Sequence, residues 1–360
     1  MTDDFTARLR VQLRDAAIRE EQRAPLVRAL RAARPRPAAA LGAFAAAAAA
    51  GVVLLVAVLL GSPAPETATP AGPRVVANVP IGGGFNGSAR AAFGSVWLSD
   101  SGRGEILRVD PRTRRVTRRI PVGSEVTLEA GDGAVWAVPV GAGNPAGPLV
   151  RIDPRSGRTV ARIPLRMRGG DVLPARGVIA GPLVWAIGPN GALGVDPARN
   201  RIVSEIRLGG SFQVIDALMH DGELWITRAD HSITRFDART GRRLGRVPWR
   251  TDAFHLPFAD KLIALSARKV ALVDPGTGRA LWQRAVGTSL ELMDVSGGRL
   301  FVDGADGPAG TPNRVWEIDV HDGHVIGTAT VREFSLVGMV RAGSGVWLLS
   351  SGGHVVVVAP

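Results

Sequence analysis

The residues that could serve as nucleophiles, general bases or metal ligands are few and scattered along the chain. No cysteine occurs among the 360 residues, which excludes disulfides, thiolate metal sites and cysteine nucleophiles. Of the six histidines, only His321 and His324 lie close together, on either side of a predicted hairpin turn at Asp322-Gly323. Two histidines beside a turn are more typical of a surface loop than of a metal site, so we predict no catalytic residue and no bound metal.

Two short glycine-rich segments have some features of ligand-binding loops but lack the required context. Residues 141–147 (GAGNPAG) have spaced glycines, yet they join two predicted strands, so no helix N-terminus is available for a phosphate. Residues 303–307 (DGADG) lack the regularly spaced acids of a calcium loop. We interpret both as connecting loops and predict no cofactor.

A third set of polar residues lies in the connectors that precede the strand nearest the axis in each repeat. If these strands surround a common axis, their polar side chains converge at one mouth of a central channel, where a ligand could bind. The candidate ligand-binding residues are Asn86, Glu125, Asp171, Gln213, Asp252, His255 and Glu291.

The elements that position these side chains are visible as one pattern that occurs seven times. Residues 94–123 read GSVWLSDSGRGEILRVDPRTRRVTRRIPVG, and residues 133–165 carry the same skeleton. Five further copies follow at intervals of roughly 40 residues, which is the period of a four-stranded propeller blade. The sequence therefore predicts an all-β, seven-bladed β-propeller over residues 74–360.

Two positions in each repeat have a structural explanation. A large aromatic or branched residue in a short β-type run can fill the space between adjacent sheets. These residues are Trp97, Trp136, Trp185, Trp225, Ile263, Phe301 and Trp347. An aspartate, often followed by proline, can bond to the backbone two residues on and start a turn that a glycine completes. These residues are Asp110, Asp153, Asp196, Asp237, Asp274 and Asp319.

The ends of the repeat region predict how the ring closes. The last repeat stops at Pro360 after three strands and lacks an outermost strand. Residues 74–82 (RVVANVPIG) match the outermost strand of the other repeats, such as residues 159–165. We predict that this N-terminal strand pairs with residues 354–359 and removes an open sheet edge.

A membrane anchor is predicted before the propeller. Residues 37–61 contain an uncharged run, 38–60, that would span roughly 34 Å as a helix. It is longer than the apolar part of a cleavable signal peptide, and prolines crowd the candidate cleavage site near Ala64. Arginines precede this run and none follows it before Pro73, so the N-terminus should remain in the cytoplasm. The expected localisation is therefore the cell membrane, crossed once, with the propeller extracytoplasmic. Residues 62–73, rich in proline and alanine, would act as a semi-rigid linker.

Residues 1–36 are predicted to form a short cytoplasmic amphipathic helix. Phe5, Leu9, Leu13 and Ala17 recur every fourth residue, and Thr2 can serve as the N-cap. The helix could lie along the membrane surface, or it could bind a cytoplasmic regulatory protein.

The net charge of +12 comes almost entirely from arginine, because Lys261 and Lys269 are the only lysines. Outside residues 1–36 the excess is spread through the repeats without an aromatic-basic stripe, so nucleic acid is not the expected partner. An exported domain of this charge would instead meet anionic lipid head groups or cell-wall polymers.

The repeats resemble the quinoprotein-like and YVTN-type β-propeller repeats of exported bacterial proteins. Residues 271–287 (ALVDPGTGRALWQRAVG) look most like the tryptophan-docking repeat of pyrroloquinoline-quinone enzymes, with Trp282 in the docking position. The residues aligned with it in other repeats are Val160, Val203 and Leu244. Because these are not tryptophans, the resemblance implies a degenerate scaffold without a bound quinone.

The resemblance leaves three functional interpretations open. The favoured one is a non-enzymatic module that binds a protein, cell-wall or small-molecule partner, with a relay to the cytoplasmic helix as an added role. The second is an enzyme, either a quinone-dependent oxidoreductase or a lyase similar to virginiamycin B lyase. The third is a scaffold in envelope assembly, as in the lipoprotein propellers of outer-membrane assembly machines, although the chain lacks a cysteine for lipid attachment.

Overall fold

The computed structural model describes residues 72–140, 147–175, 177–209, 214–250, 254–266, 268–287, 289–305, 311–332 and 336–359. The predicted cytoplasmic helix and membrane segment, and most of the predicted linker, lie outside these residues. Within the described part of the chain, no helix has the length and apolar character needed to cross a membrane.

The described residues form an all-β fold of seven four-stranded antiparallel sheets, which are the blades of a propeller. The N-terminal strand β1 (Arg74–Pro80) belongs to the last blade. Blade 1 contains β2 (Phe85–Ala92), β3 (Ser95–Asp100), β4 (Glu105–Val109) and β5 (Val116–Pro121), and blade 2 contains β6 (Val126–Gly131), β7 (Ala134–Pro139), β8 (Leu149–Ile152) and β9 (Thr159–Ile163). Blade 3 contains β10 (Gly177–Ile179), β11 (Val184–Gly188), β12 (Gly191–Asp196) and β13 (Arg201–Arg207), and blade 4 contains β14 (Val214–His220), β15 (Glu223–Arg228), β16 (Ser232–Asp237) and β17 (Arg243–Arg250).

The remaining three blades complete the ring. Blade 5 contains β18 (Phe254–Phe258), β19 (Lys261–Ser266), β20 (Lys269–Val273) and β21 (Ala280–Ala285), and blade 6 contains β22 (Ser289–Ser296), β23 (Arg299–Ala305), β24 (Asn313–Asp319) and β25 (Val325–Val331). Blade 7 contains β26 (Leu336–Ala342), β27 (Gly345–Ser350) and β28 (His354–Ala359), and β1 supplies its outermost strand. The first strand of each blade is innermost, and each innermost strand contacts that of the next blade, with β26 against β2.

The predicted closure is confirmed. Strand β1 pairs antiparallel with β28, from Arg74 opposite Ala359 to Pro80 opposite His354. At the far end of β1, the amides of Ile81 and Gly82 both donate to the carbonyl of Gly353. The first residues of the domain therefore complete the last blade and cover the free edge of β28.

The core lies between the blades, in seven apolar layers. Trp97 of blade 1 packs against Leu128 of blade 2, and Trp347 of blade 7 packs in one cluster with Leu98 of blade 1. The predicted role of these aromatic residues as fillers between sheets is confirmed, because Trp97, Trp136, Trp185 and Trp347 are at most 1% exposed. Strands such as β3 and β27 are buried along their whole length, since they have a neighbouring sheet on each face.

The predicted aspartate turns are also confirmed. The Asp110 carboxylate accepts hydrogen bonds from the amides of Arg112 and Thr113, at 2.7 and 2.9 Å. These bonds stabilise the ionised form and lower the pKa of Asp110. The fourth residue after each turn aspartate has positive φ, which is 58° at Arg114, 63° at Gly157 and 51° at Asn200. Glycine or asparagine is expected at such positions.

The two faces of the ring are defined by these connections. One face carries the aspartate turns and the turns between the first and second strands of each blade, and we call it the turn face. The chain enters β1 at Arg74 on this face. The amide of Ala238 in an aspartate turn donates to the carbonyl of Gly222 in the inner turn of the same blade, which places both turns on this face. The opposite face, where the innermost strands begin, is the mouth face.

Candidate functional site

Two of the predicted ligand-binding residues meet on the mouth face. The Asn86 side-chain amide donates to Glu125 Oε1 at 3.1 Å and to the carbonyl of Val126 at 3.0 Å. Both side chains are half-buried, and they belong to the beginnings of neighbouring innermost strands. This pair joins blades 1 and 2 and presents a carboxylate and an amide at one sector of the mouth.

The structure places two other predicted residues in different surroundings. Asp171 is exposed in a hairpin at residues 166–172, where its carbonyl accepts the Met167 amide. His255 is only 5% exposed, and its ring packs against Trp249 with the ring centroids 5.7 Å apart. It therefore lies between blades instead of facing the mouth.

The side chains of the three remaining predicted residues lie outside the described part of the structure. Gln213 and Asp252 fall in segments beyond the described ranges. Glu291 belongs to β22, of which only the backbone is described at this position. Their place at the mouth stays a prediction.

Charged residues within the innermost strands form a second set near the axis. Arg90 of blade 1 makes a bidentate ion pair with Glu129 of blade 2, through Nε at 3.0 Å and Nη2 at 3.1 Å. Asp294 of blade 6 accepts the backbone amide of Arg341 of blade 7 at 2.6 Å. Sequence inspection did not single out these residues. Their common position in the repeat could have identified them, because Arg90, Glu129 and Asp294 each precede the core aromatic residue of their blade by seven positions.

Burial changes the acidity of two carboxyl groups in this region. Asp216 of blade 4 is half-buried and accepts the His255 amide at 3.4 Å, and burial raises its pKa to about 6. Burial also raises the pKa of Asp294, while bonding to the Arg341 amide opposes that effect. Both carboxyl groups bond across a blade junction, so their measurable role is in joining blades.

The arrangement can hold polar partners but does not assemble a recognisable reaction centre in the described residues. No group of three or more histidine, aspartate or glutamate side chains is placed to hold a metal ion within the described ranges. Asn86 and Glu125 offer donors and acceptors at the mouth, where a polar ligand or a loop of another protein could bind.

Two open grooves lie beside the closing strand β1. The first, of about 610 Å³, lies between β1 and the outer part of blade 1, and Arg103, Arg114, Arg115 and Arg119 line it. The second, of about 330 Å³, lies between β1 and Thr330 to Arg332 of blade 6. The first groove makes the junction of blades 7 and 1 strongly basic.

The predicted docking of Trp282 is observed at the junction of blades 5 and 6. Its indole Nε1 donates to the carbonyl of Val320 at 2.7 Å, and the ring lies over Gly323 of the next aspartate turn. The strand registers correct the alignment of the other repeats, because Val160, Val203 and Leu244 do not occupy the position of Trp282. The residues that pair as Trp282 does are Ala161, Ser204 and Gly245. The same three residues lie eight positions after their turn aspartate, as Trp282 lies eight positions after Asp274, so the sequence alignment was displaced by one residue.

Two further tryptophans dock in the same way from different positions. Trp249, late in the outer strand of blade 4, donates to the carbonyl of Pro275 at 3.0 Å. Trp185, in the second strand of blade 3, donates to the carbonyl of Ala238 at 2.9 Å. Each acceptor is the residue after a turn aspartate, so three junctions use one docking geometry supplied from three strand positions.

Comparison with known proteins shows which families and structures this fold is similar to. The family model described as outer membrane protein assembly factor BamB matches residues 229–359. BamB from Moraxella catarrhalis is 18% identical with a TM-score of 0.51, and the match covers 77% of this chain and 83% of that chain. The WD40 β-propeller domain of Doa1 is 13% identical with a TM-score of 0.60, covering 80% of this chain and 97% of that chain.

A designed protein shows the same similarity of fold. The computationally designed Ika8 protein is 13% identical with a TM-score of 0.55, covering 80% of this chain and 99% of that chain. At these identities the similarity to solved structures concerns the fold alone. No curated protein gives a significant sequence match. The described residues therefore form a seven-bladed β-propeller, and the match of residues 229–359 supports similarity to quinoprotein-like propeller repeats.

Proposed function

We propose that this chain is a membrane-anchored, extracytoplasmic propeller that binds another protein at its mouth face and catalyses no reaction. The observation that carries this proposal is the use of polar groups near the axis. Arg90 with Glu129, and Asp294 with the Arg341 amide, bond across blade junctions. Bonds of this kind make the ring a rigid platform, and a rigid platform suits the presentation of a binding surface.

The anchoring part of the proposal is supported by the sequence before the propeller. Residues 38–60 carry no charge, and the arginines that flank this run lie on its N-terminal side. Under this arrangement the N-terminal residues 1–36 lie in the cytoplasm, where they could relay partner binding at the propeller to a cytoplasmic regulatory protein.

A second candidate function is a scaffold in envelope assembly. The specific observation in its favour is the match of residues 229–359 to the family model of an outer membrane protein assembly factor. This candidate shares the protein-binding mouth of the first proposal but predicts a defined consequence. Deletion of the gene would lower the amounts of outer membrane proteins, whereas a sensing module would leave them unchanged.

Site-specific photocrosslinking tests the binding role. A photoreactive residue at Ser124, next to Glu125 on the mouth face, should form an adduct with a partner in intact cells. The control position is Ser344, an exposed turn residue of blade 7 on the opposite face. Adducts from Ser124 but not from Ser344 support the proposal. Turnover by the purified chain that depends on added metal or quinone, without any adduct, would establish an enzyme instead.

Cysteine labelling tests the topology without background, because the natural chain has no cysteine. In intact cells, a membrane-impermeant maleimide should label Ser124→Cys and should leave Thr6→Cys unlabelled until the cells are opened. Labelling of Thr6→Cys in intact cells, or protection of Ser124→Cys, would overturn the proposed orientation.

A further inference from the structure

The arginines of the aspartate turns are not spread evenly around the ring. The aspartate turns of blades 1 to 4, at residues 111–115, 154–158, 197–201 and 238–242, contain nine arginines, and no acidic residue follows the aspartate that begins each turn. The equivalent turns of blades 5 and 6, at residues 275–279 and 320–324, contain one arginine. Eight of the nine are exposed, and Arg114 is half-buried. The turn face therefore carries a basic arc along one side of the ring.

Carboxylates on the same face offset less than half of this charge. Four aspartates begin these turns, Asp110, Asp153, Asp196 and Asp237, and Asp196 forms an ion pair with Arg199 at 2.6 Å. Asp132 and Asp221 belong to the inner turns and lie nearer the axis. The outer part of the turn face at blades 1 to 4 remains positive.

The point where the chain enters the propeller lies on the same face. Strand β1 begins at Arg74, and Pro73 packs against Gly327 near the start of β25, close to the turn of blade 6. The described chain therefore enters the propeller on the turn face, and the mouth face lies on the opposite side of the ring. Under the proposed anchoring, the tether attaches on the side that carries the basic arc.

An aromatic side chain adds a third feature to the turn face. Phe93, in the inner turn of blade 1, is 43% exposed and has φ of 53°. A bulky residue in the left-handed region is unfavourable, and asparagine or glycine is usual there. Exposed aromatic rings are enriched where proteins contact the head-group region of membranes.

We propose that the turn face of blades 1 to 4 docks on the anionic head groups of the membrane that anchors the chain, with Phe93 at the head-group boundary. This inference rests on the proposed anchoring and adds an orientation to it. The mouth face is then directed away from the bilayer, toward a partner in the extracytoplasmic space.

Fluorescence energy transfer in vesicles tests the docking with the full chain. One probe is attached at Ala198→Cys, in the turn before β13, and another at Gly209→Cys, beyond the other end of the same strand; both positions are exposed. The seven residues of β13 separate the two probes by roughly 23 Å. The acceptor is a dye on lipid head groups, and an impermeant maleimide labels only outward-facing molecules.

The expected result depends on lipid charge. With phosphatidylglycerol mixed into phosphatidylcholine, transfer from Ala198→Cys should exceed that from Gly209→Cys. The difference should vanish in phosphatidylcholine alone and in high salt, since the Debye length falls from about 10 Å at 0.1 M to about 3 Å at 1 M. Equal transfer from both probes in every lipid would overturn the docking.

Charge variants identify the surface responsible. Replacement of Arg112, Arg158 and Arg242 by glutamine should weaken docking roughly 100-fold, at about 1 kcal/mol per arginine near an anionic surface. The matched control replaces Arg103, Arg166 and Arg168, which are exposed on the mouth face, and should leave docking unchanged. An equal loss in both triple variants would show attraction by net charge alone and would overturn the assignment to the turn face.

A fourth variant separates docking from folding. Phe93→Asn should weaken docking while raising the melting temperature, because asparagine tolerates positive φ better than phenylalanine. Unchanged docking with this variant would remove Phe93 from the docking surface.

A linker probe distinguishes failure of docking from failure of anchoring. Ser62→Cys should show high energy transfer in all lipids if the chain is anchored. High transfer from Ser62→Cys with no lipid response at Ala198→Cys refutes docking alone, whereas low transfer at Ser62→Cys refutes the anchor.

Discussion

The docking of Trp282 on Gly323 provides a sharp test of how the blades hold together. Gly323 has φ of 72°, and a Cβ atom added there would lie 2.6 Å from Cε3 and 2.7 Å from Cδ2 of the indole ring. Gly323→Ala therefore introduces two separate costs. The left-handed backbone costs an alanine about 1–2 kcal/mol. In addition, the indole must move away from the turn.

The second cost can be worked from the contacts. Displacement of the ring breaks the hydrogen bond from Trp282 Nε1 to the Val320 carbonyl, worth about 1 kcal/mol. Loss of part of the indole burial adds roughly 1–2 kcal/mol. Gly323→Ala should thus lower the free energy of unfolding by about 2–3 kcal/mol more than the backbone cost alone.

Gly222→Ala is the matched control for this experiment. Gly222 has φ of 75°, and a methyl group added there would have no heavy atom within 4 Å, so its replacement carries only the backbone cost. The assay is urea denaturation of the full chain, followed by far-ultraviolet circular dichroism. In a Trp282→Ala background, Gly323→Ala should cost no more than Gly222→Ala. Equal costs of the two glycine replacements in the natural background would refute the docking argument.

Three further predictions concern closure and charge. Deletion of residues 74–82 removes six registered residue pairs with β28. It should lower the free energy of unfolding by roughly 6 kcal/mol, at about 1 kcal/mol per backbone hydrogen bond. An unchanged melting temperature, or an equal loss of stability on deletion of residues 62–71, would contradict this prediction. Asp216 has a pKa raised from 3.8 to about 6, so the folded state retains a proton that the unfolded state releases, and stability falls as pH rises through this window. Asp216→Asn should lack this fall, and its stability relative to the natural chain should increase by up to about 3 kcal/mol between pH 4 and 7.5 in denaturation series. Parallel pH profiles would contradict the raised pKa of Asp216. Glu129→Arg should destabilise by about 1–2 kcal/mol, and adding Arg90→Glu should restore most of the loss in a double-mutant cycle, whereas strict additivity would show that the ion pair makes no contribution.

The repeat pattern predicted which residues lie near the mouth, but it did not predict which side chains contact one another there. Asn86 and Glu125 could be placed on one face because each lies at or just before the start of an innermost strand, and the structure brings them into hydrogen-bond contact. His255 occupies a similar position in the repeat, yet its ring packs between blades against Trp249. The difference depends on which face of the strand each side chain takes, and a shift of one residue reverses that choice.

The sequence alone determined the architecture, because the signals that specify it are local and recur. Seven copies of one strand and turn pattern define the blades, and the similarity of residues 74–82 to other outer strands predicts the closure with β28. Turn aspartates and core aromatics act within their own blade or against the next sheet, so periodicity is sufficient to assign them.

Tertiary structure decided everything that depends on the placement of one blade relative to another. Trp185, Trp249 and Trp282 reach equivalent docking positions from three different places in the repeat, so no alignment of the repeats would group them. The pairing of Arg90 with Glu129 likewise arises only when neighbouring blades pack together. The number of arginines in each turn can be counted in the sequence, but only the closed ring places these turns on the face where β1 begins. Contacts of this kind are set by the packing angle and register of neighbouring sheets, which a linear pattern does not encode.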